Sequence, residues 1–376
     1  MLAIHIRDGM LEELLEGVIE SQGLWMAYVL LLVGAVVLTY SVEKLISYLT
    51  RASLGLGVSI FALAIVFTGF EFDDTVIALV FGAGELEQVA LGTALGTALA
   101  ITGITLAVAA VVRPFPVAIP DDYLWLFALS PLALVPFVLV GTLTLVHGLL
   151  LAAIFLGLFG YIVYREFHRD VPVFRDSEIA ERLEADGGVA IDDLHVSDVD
   201  IRTVLEEIPE DRIVADRPYE GLFWLGLAGV ALVGVTAGAL LLETGSEALV
   251  ESWGLEQTVF GATVLTLVLT FENLLLTLEP VRRGVPEIGI GHVIGSVIFS
   301  VTANVGVIAF VAEVAIPRAV LVFHLPAVLV CTAVAAYFIS SGRLRRRHGY
   351  ALLGLYAVYW LVALVVFGGV PIPEAL

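Results

Sequence analysis

Glu71, Asp73 and Asp74 fall within one helical turn of one another in a stretch that is otherwise strongly apolar. A charged side chain at the centre of a bilayer costs about 2.5 to 3.5 kcal/mol on insertion scales, so three together require a bound cation, protons or a basic partner. No lysine or arginine lies inside an apolar run at that depth, which leaves cations and protons. Glu71 and Asp74 are three residues apart and share a helix face, with Asp73 turned about 100° away. Thr97, Thr270, Asn273, Ser296 and Ser300 add hydroxyl and amide oxygens in matching apolar surroundings. A set made only of oxygens suits hard ions such as Ca²⁺ or Na⁺ and disfavours zinc or copper.

These residues must be held by membrane helices. The chain has 376 residues, 59% hydrophobic and 15% charged, with a mean hydropathy of +1.00. Runs of about 20 apolar residues mark membrane spans. Ten are expected, at 24 to 43, 54 to 82, 88 to 112, 122 to 142, 144 to 164, 220 to 242, 256 to 280, 288 to 312, 318 to 340 and 349 to 369. Residues 1 to 23 carry Leu11, Leu14, Leu15, Val18 and Ile19 on one stripe and are expected to form an amphipathic surface helix. Residues 165 to 219 form a polar, acidic linker, with a short helix expected from Ser177.

Basic residues are retained on the cytoplasmic side of span ends. Arg51, Arg113, Arg165, Arg169, Arg282, Arg283, Arg343 and the run Arg345 to Arg347 all fall at alternate ends, so with ten spans they share one side. Both termini are then expected outside and the linker inside. Trp25, Trp125, Trp224 and Trp253 lie near expected span ends, where amphipathic rings favour the interface. A net charge of −21, from 39 acidic and 18 basic residues, excludes nucleic-acid binding through a basic surface and would suit a high-salt cytoplasm. The single cysteine, Cys331, excludes a disulfide framework.

The two halves, 24–164 and 220–376, repeat. An offset of 199 residues pairs Gly55 to Phe61 with Gly254 to Phe260, then Phe72-Asp73-Asp74 with Phe271-Glu272-Asn273, then Gly92 to Thr97 with Gly291 to Ser296. Five spans per half place the halves in opposite orientations. The expected fold is therefore all-α, ten transmembrane helices in two inverted five-helix repeats. Such repeats carry substrate and ion sites near the bilayer midplane in secondary transporters.

At these residues the chain resembles the cation/calcium exchanger superfamily, and the sodium/calcium exchangers in particular. Gly291-His292-Val293-Ile294-Gly295-Ser296-Val297-Ile298-Phe299-Ser300 is similar to the family motif G-N-x-x-G-S-N-I-F-N, with His, Val and Ser at asparagine positions. Leu240 to Gly245 resembles the acid-containing segment that ends the first helix of a repeat. In the family, a G-T-S-x-P-E motif places its glutamate eighteen residues before that glycine, which here falls on Asp74 and Asn273. The resemblance implies that Asp74 and Asn273 take the two central acid positions, with Glu71 and Thr270 at the serine of G-T-S. Thr97 and Ser296 take the serine of G-S-N, and Ile101 and Ser300 the last polar position. Ile101 cannot ligate, Asn273 lacks a charge, and Asp73 and Glu272 replace the proline.

The resemblance implies exchange of Ca²⁺, or a related cation, for Na⁺ by alternating access, with inorganic cations and the bilayer as partners and no cofactor. The site expected is Glu71, Asp74, Thr97, Thr270, Asn273, Ser296 and Ser300, with Asp73, Glu272, His292 and Asn304 as further candidates. Glu71, Asp74 and Glu272 are the acids expected to meet a metal ion. Clustered carboxylates repel one another, so a proton can stand in for part of a divalent charge, and cation/proton exchange is the alternative. A sensor that no longer transports is another, given Ile101 and Asn273. An intramembrane hydrolase would need aspartates on facing helices, whereas Asp73 and Asp74 are adjacent. No G-x-x-x-x-G-K-[ST] motif is present, which disfavours ATP-driven pumping.

Overall fold

The structure, a computed structural model, describes residues 23–56, 71–117, 119–168, 220–283 and 286–367. The amphipathic helix expected before Leu24, most of the linker and the helix expected from Ser177 lie outside the described residues. So does much of the second expected span.

The described chain is almost entirely helical. In the first half, α1 (Trp25–Leu56), α2 (Phe72–Ala83) and α3 (Glu87–Ala100) come first. After α3 the chain runs through a π-helical segment (Ile101–Thr105) into α4 (Leu106–Val112), and then through α5 (Asp121–Leu129), α6 (Val135–Val140) and α7 (Leu145–His168). In the second half, α8 (Glu220–Trp253) precedes α9 (Gln257–Phe260), a π segment (Gly261–Leu265), α10 (Thr266–Arg283) and α11 (Pro286–Phe299). A further π segment (Ser300–Asn304), α12 (Val305–Val311), a third (Val320–His324), α13 (Leu325–Ser340) and α14 (Arg346–Val362) complete the order. Among the described residues nine helices are long and apolar enough to cross a membrane, matching nine of the ten expected spans. The tenth, 54 to 82, is represented by the 12-residue α2 alone.

Element boundaries repeat at the spacing found in the sequence. Glu87–Ala100, Ile101–Thr105 and Leu106–Val112 in one half correspond to Pro286–Phe299, Ser300–Asn304 and Val305–Val311 in the other. Two short antiparallel pairings tie the halves together, Phe115–Pro116 with Arg343–Leu344 and Thr142–Leu143 with Val314–Ala315. Each joins the end of a π-containing helix in one half to the start of the last long helix in the other.

Two kinds of packing position the centre. The long helices α1 and α8 lie against each other along their length. Their crossing needs glycine: a Cβ on Gly34 would stand 2.7 Å from the Leu242 nitrogen, and one on Gly238 would stand 2.6 Å from the Leu38 nitrogen. Inside them, α3 is buried at every position from Val89 to Ala100, and α11 is buried over most of its length. α3 packs on the Ser300–Asn304 segment and α11 on Ile101–Thr105, so each buried helix meets the other's irregular turn.

Three local expectations change. α8 does not end near Glu243 but runs on to Trp253. Trp224 is not an interfacial ring: it is 1% exposed, stacked on Tyr48 with centroids 5.7 Å apart and covered by the Arg51 guanidinium at 5.5 Å. Trp125, at 64% exposed, keeps the expected character. Lys44, placed at a span end by the sequence, sits well inside α1, near the Tyr40 and Tyr48 rings.

Three of the basic residues expected on one side, Arg113, Arg282 and Arg346, lie near one another. Arg113 donates to the carbonyls of Val281, at 3.2 Å, and of Arg282. Arg346 donates to the Val111 carbonyl at 3.1 Å. The ends of α4 and α10 and the start of α14 thereby converge.

Candidate functional site

The three clustered acids are not mid-helix. Glu71 has an extended backbone, φ −82° and ψ 98°, and is the N-cap of α2, with Asp73 and Asp74 in its first turn. A helix N-terminus carries a partial positive charge of about half a unit from its unpaired N–H groups. That field favours carboxylates but offsets only a fraction of the charge of three. Two facing acids on one continuous helix, as the spacing suggested, are therefore replaced by an acid outside the helix and two within its first turn.

Asp74 is the most enclosed of them, 3% exposed. Glu71, Asp73 and the Thr97 hydroxyl of α3 surround it, and the Asn304 amide donates to its Oδ2 at 3.4 Å. Glu71 is close to Asp74 and to Ser296 of α11, yet both its carboxylate oxygens are buried without a hydrogen bond of ordinary geometry. Glu272 of α10 is near enough to interact with Asp73 and Glu71, and has Thr39 and Glu43 of α1 beside it. The charged groups acting on these four carboxyls are all other carboxyls. Buried polar atoms normally find partners, and those that do not mark places where an ion or water completes the site.

The structure brings together Glu71, Asp73, Asp74, Thr97, Ser296, Asn304 and, at the margin, Glu272. Ser300 is fully buried at the start of its π segment with its hydroxyl unpartnered. His292 meets Ser296 through Nδ1 at 3.4 Å, and its Nε2 is buried without a partner. Thr270 donates to the Thr266 carbonyl at 2.6 Å, so its hydroxyl serves its own helix. Asn273 is half-buried and makes no side-chain hydrogen bond among the described residues. Glu71, Asp74 and Glu272 do not converge as a three-carboxylate metal group: none is found among the described residues. Glu272 is drawn toward Thr39, so an ion beside Asp74 would draw its remaining oxygens from hydroxyls and amides instead.

Sequence reasoning missed Thr39 and Glu43. Their four-residue spacing near the end of an apolar span was the available signal, since it puts both on one face of α1. It also ranked Asn304 low. The extra residue in a π-helical turn rotates the side chains beyond it, and π segments gather at functional sites for that reason. Here the turn ends at Asn304 and presents it to Asp74, while the matched Thr105 donates to the Ile101 carbonyl of its own segment.

Asn304→Leu keeps side-chain volume but removes both the donor to Asp74 and the unpartnered Oδ1. Cation affinity measured by calorimetry on the purified protein is expected to fall about tenfold, the scale of one hydrogen bond to a charged group. Unchanged affinity would place Asn304 outside the ion's coordination shell.

The described chain is a bundle of helices long and apolar enough to cross a membrane, with buried carboxylates between its two halves. Residues 223–365 match the family described as sodium/calcium exchanger protein. Inner membrane protein YrbG of Escherichia coli is 27% identical over 291 residues, spanning 76% of this chain and 80% of that protein. The sodium/calcium exchanger MaX1 of Methanosarcina acetivorans is 27% identical over 142 residues, 38% of this chain and 40% of that one. Two structures of the sodium-calcium exchanger NCX_Mj share this fold at 16% identity, with TM-scores of 0.51 and 0.52, covering 89% of this chain and 97% and 98% of theirs. The chain is thus similar to sodium/calcium exchangers in sequence over its second half and in fold over most of its length.

Proposed function

We propose that this protein exchanges Ca²⁺, or a related hard cation, for Na⁺ across a membrane, using one set of carboxylates that the two ions occupy in turn. The observation that carries this reading is Asp74, a buried acid surrounded by Glu71, Asp73, Thr97 and Asn304, with no basic residue acting on it among the described residues. Such a group is stable in a bilayer only when a cation or proton is bound, so release to one side requires replacement by another. The glycine-dependent crossing of α1 and α8 packs the two long outer helices closely on each other, so that they can move as one unit. The matched element boundaries of residues 24–164 and 220–376 support two inverted repeats of five helices, with the site between them. The basic end that gathers Arg113, Arg282 and Arg346 is assigned to the cytoplasm, with the linker on that side and both termini outside. The membrane is the cell membrane in this reading.

A second reading, cation/proton exchange, is favoured by the mutual crowding of Glu71, Asp73, Asp74 and Glu272, with the uncharged Asn273 where the resemblance places a second acid. Uptake of ⁴⁵Ca²⁺ into proteoliposomes separates the two. An outward Na⁺ gradient is expected to drive uptake. Uptake driven by a proton gradient alone would establish the second reading, and no uptake under either gradient would point to a sensor built on the exchanger fold.

A further inference from the structure

We propose that the polar end of the α13–α14 hairpin is a binding site for the phosphate of an anionic membrane lipid. Tyr337, Phe338, Ser340, Ser341, Arg347 and His348 line a cleft of about 460 Å³ there. Arg347 lines it, and the arginines at 343, 345 and 346 are its near neighbours in sequence. In a chain of net charge −21, none of the four forms an ion pair with an acid among the described residues. α14 also begins at Arg346, so its N-terminal partial charge adds to theirs.

His348 points to a ligand independently of those charges. It is 7% exposed and stacked on Phe338 with ring centroids 4.5 Å apart and planes 9° from parallel. Arg347 Nε donates to His348 Nε2 at 3.3 Å, which makes Nε2 the acceptor and leaves the ring proton on Nδ1. Nδ1 is buried and has no acceptor. A donor so enclosed, in the wall of a cleft that Arg347 also lines, matches a phosphate oxygen.

The surroundings favour a lipid over a soluble anion. Tyr337, on the cleft's rim, is 73% exposed, and Val330, two helical turns deeper on the same face of α13, is 52% exposed. An acyl chain can follow that face while the headgroup occupies the cleft, and interfacial tyrosine is typical of headgroup depth. Clusters of basic residues at membrane-helix ends are a general means of holding anionic headgroups.

The test uses the full chain in a neutral detergent, with thermal unfolding followed during titration with phosphatidylglycerol, phosphatidylcholine or inorganic phosphate. Phosphatidylglycerol alone is expected to raise the unfolding temperature. In the double variant Arg345→Gln/Arg347→Gln its half-maximal concentration should rise roughly 25-fold, about fivefold per arginine. His348→Phe, which keeps the stacking and removes the donor, should raise it severalfold. Equal protection by phosphatidylcholine, or by inorganic phosphate, would overturn the proposal. So would unchanged titration midpoints in both variants. A double variant that unfolds at lower temperature without lipid, while its lipid midpoint stays put, would instead assign the arginines to an acidic segment of the chain.

Discussion

Asp74→Asn is expected to reduce cation exchange by a factor on the order of 10² to 10³ while leaving the protein folded. Two unit charges about 4 Å apart interact by about 4 kcal/mol at an effective dielectric constant near 20, and Asp74 is the acid most shielded from solvent. The substitution keeps shape and hydrogen-bonding capacity but removes that attraction. Glu71→Gln should act in the same direction, since its two buried, unpartnered oxygens are the other half of the pair. An apparent loss of activity through unfolding is distinguishable. Removing one of several mutually repelling buried carboxylates is neutral or stabilising, so the unfolding temperature without cation should stay level or rise. Asp73→Asn and Glu272→Gln test the centre's position, because Glu272 lies beside Thr39 and Glu43 of α1 and Asp73 is the acid that acts on it most. If they abolish exchange while Asp74→Asn leaves it intact, the ion sits on the α1 side.

The second large effect is steric. Gly92 of α3 packs against the backbone of Thr258, where a Cβ would stand 2.9 Å from both the carbonyl carbon and Cα. Gly261 reciprocates with the Val89 carbonyl and the Thr93 nitrogen, the latter at 2.9 Å. Backbone on both sides cannot rotate away as a side chain can. Gly92→Val should therefore destabilise by about 3 kcal/mol or more, the upper range for overpacking. The expected result is an unfolding temperature lower by about 5 °C or more, with exchange lost in proportion to folded protein. Gly229→Val is the control: nothing lies within 4 Å of a Cβ there, and its unfolding temperature should not change. A tolerated Gly92→Val would show that α3 and the Gln257–Leu265 region separate easily.

Much of the fold was legible in the sequence because a bilayer imposes a simple rule. Each span must be about 20 residues of low polarity, and nine of the expected spans reappear among the described helices, seven of them within a few residues at both ends. The larger discrepancy is α1, which was expected to stop near Val42 but continues to Leu56. Hydropathy falls at Glu43 and Lys44, yet an α-helix does not end where the membrane does. The same confusion placed an end near Glu243 in α8, where the helix instead packs on against α1. The 199-residue offset was visible because both halves retain glycines where helices touch, and it recurs in the boundaries of the π segments.

The site was only partly legible. Carboxylates without bases are conspicuous in an apolar chain, so Glu71, Asp73, Asp74 and Glu272 could be identified from residue type alone. Which of them share a space could not. A four-residue i, i+3 rule assumes a continuous helix through Glu71, and the chain begins α2 after it. Ser300 and Asn304 depended on where an extra residue enters a helical turn, a choice made by packing between halves more than 200 residues apart in sequence.

The sequence by itself determined that this is a helical membrane protein, that matched residues recur at an offset of 199, and that its unusual charges are a few acids in apolar surroundings. Those conclusions rest on solvent transfer and spacing, which each segment carries locally. Only the tertiary structure decided that Asp74 meets Asn304 and Thr97, that Glu272 turns toward Thr39 and Glu43, and that Thr270 serves its own helix. Those outcomes depend on where α2 begins, on the π turns, and on which helix faces come into contact. They are set by packing across the two halves and have no counterpart in any single stretch of the chain.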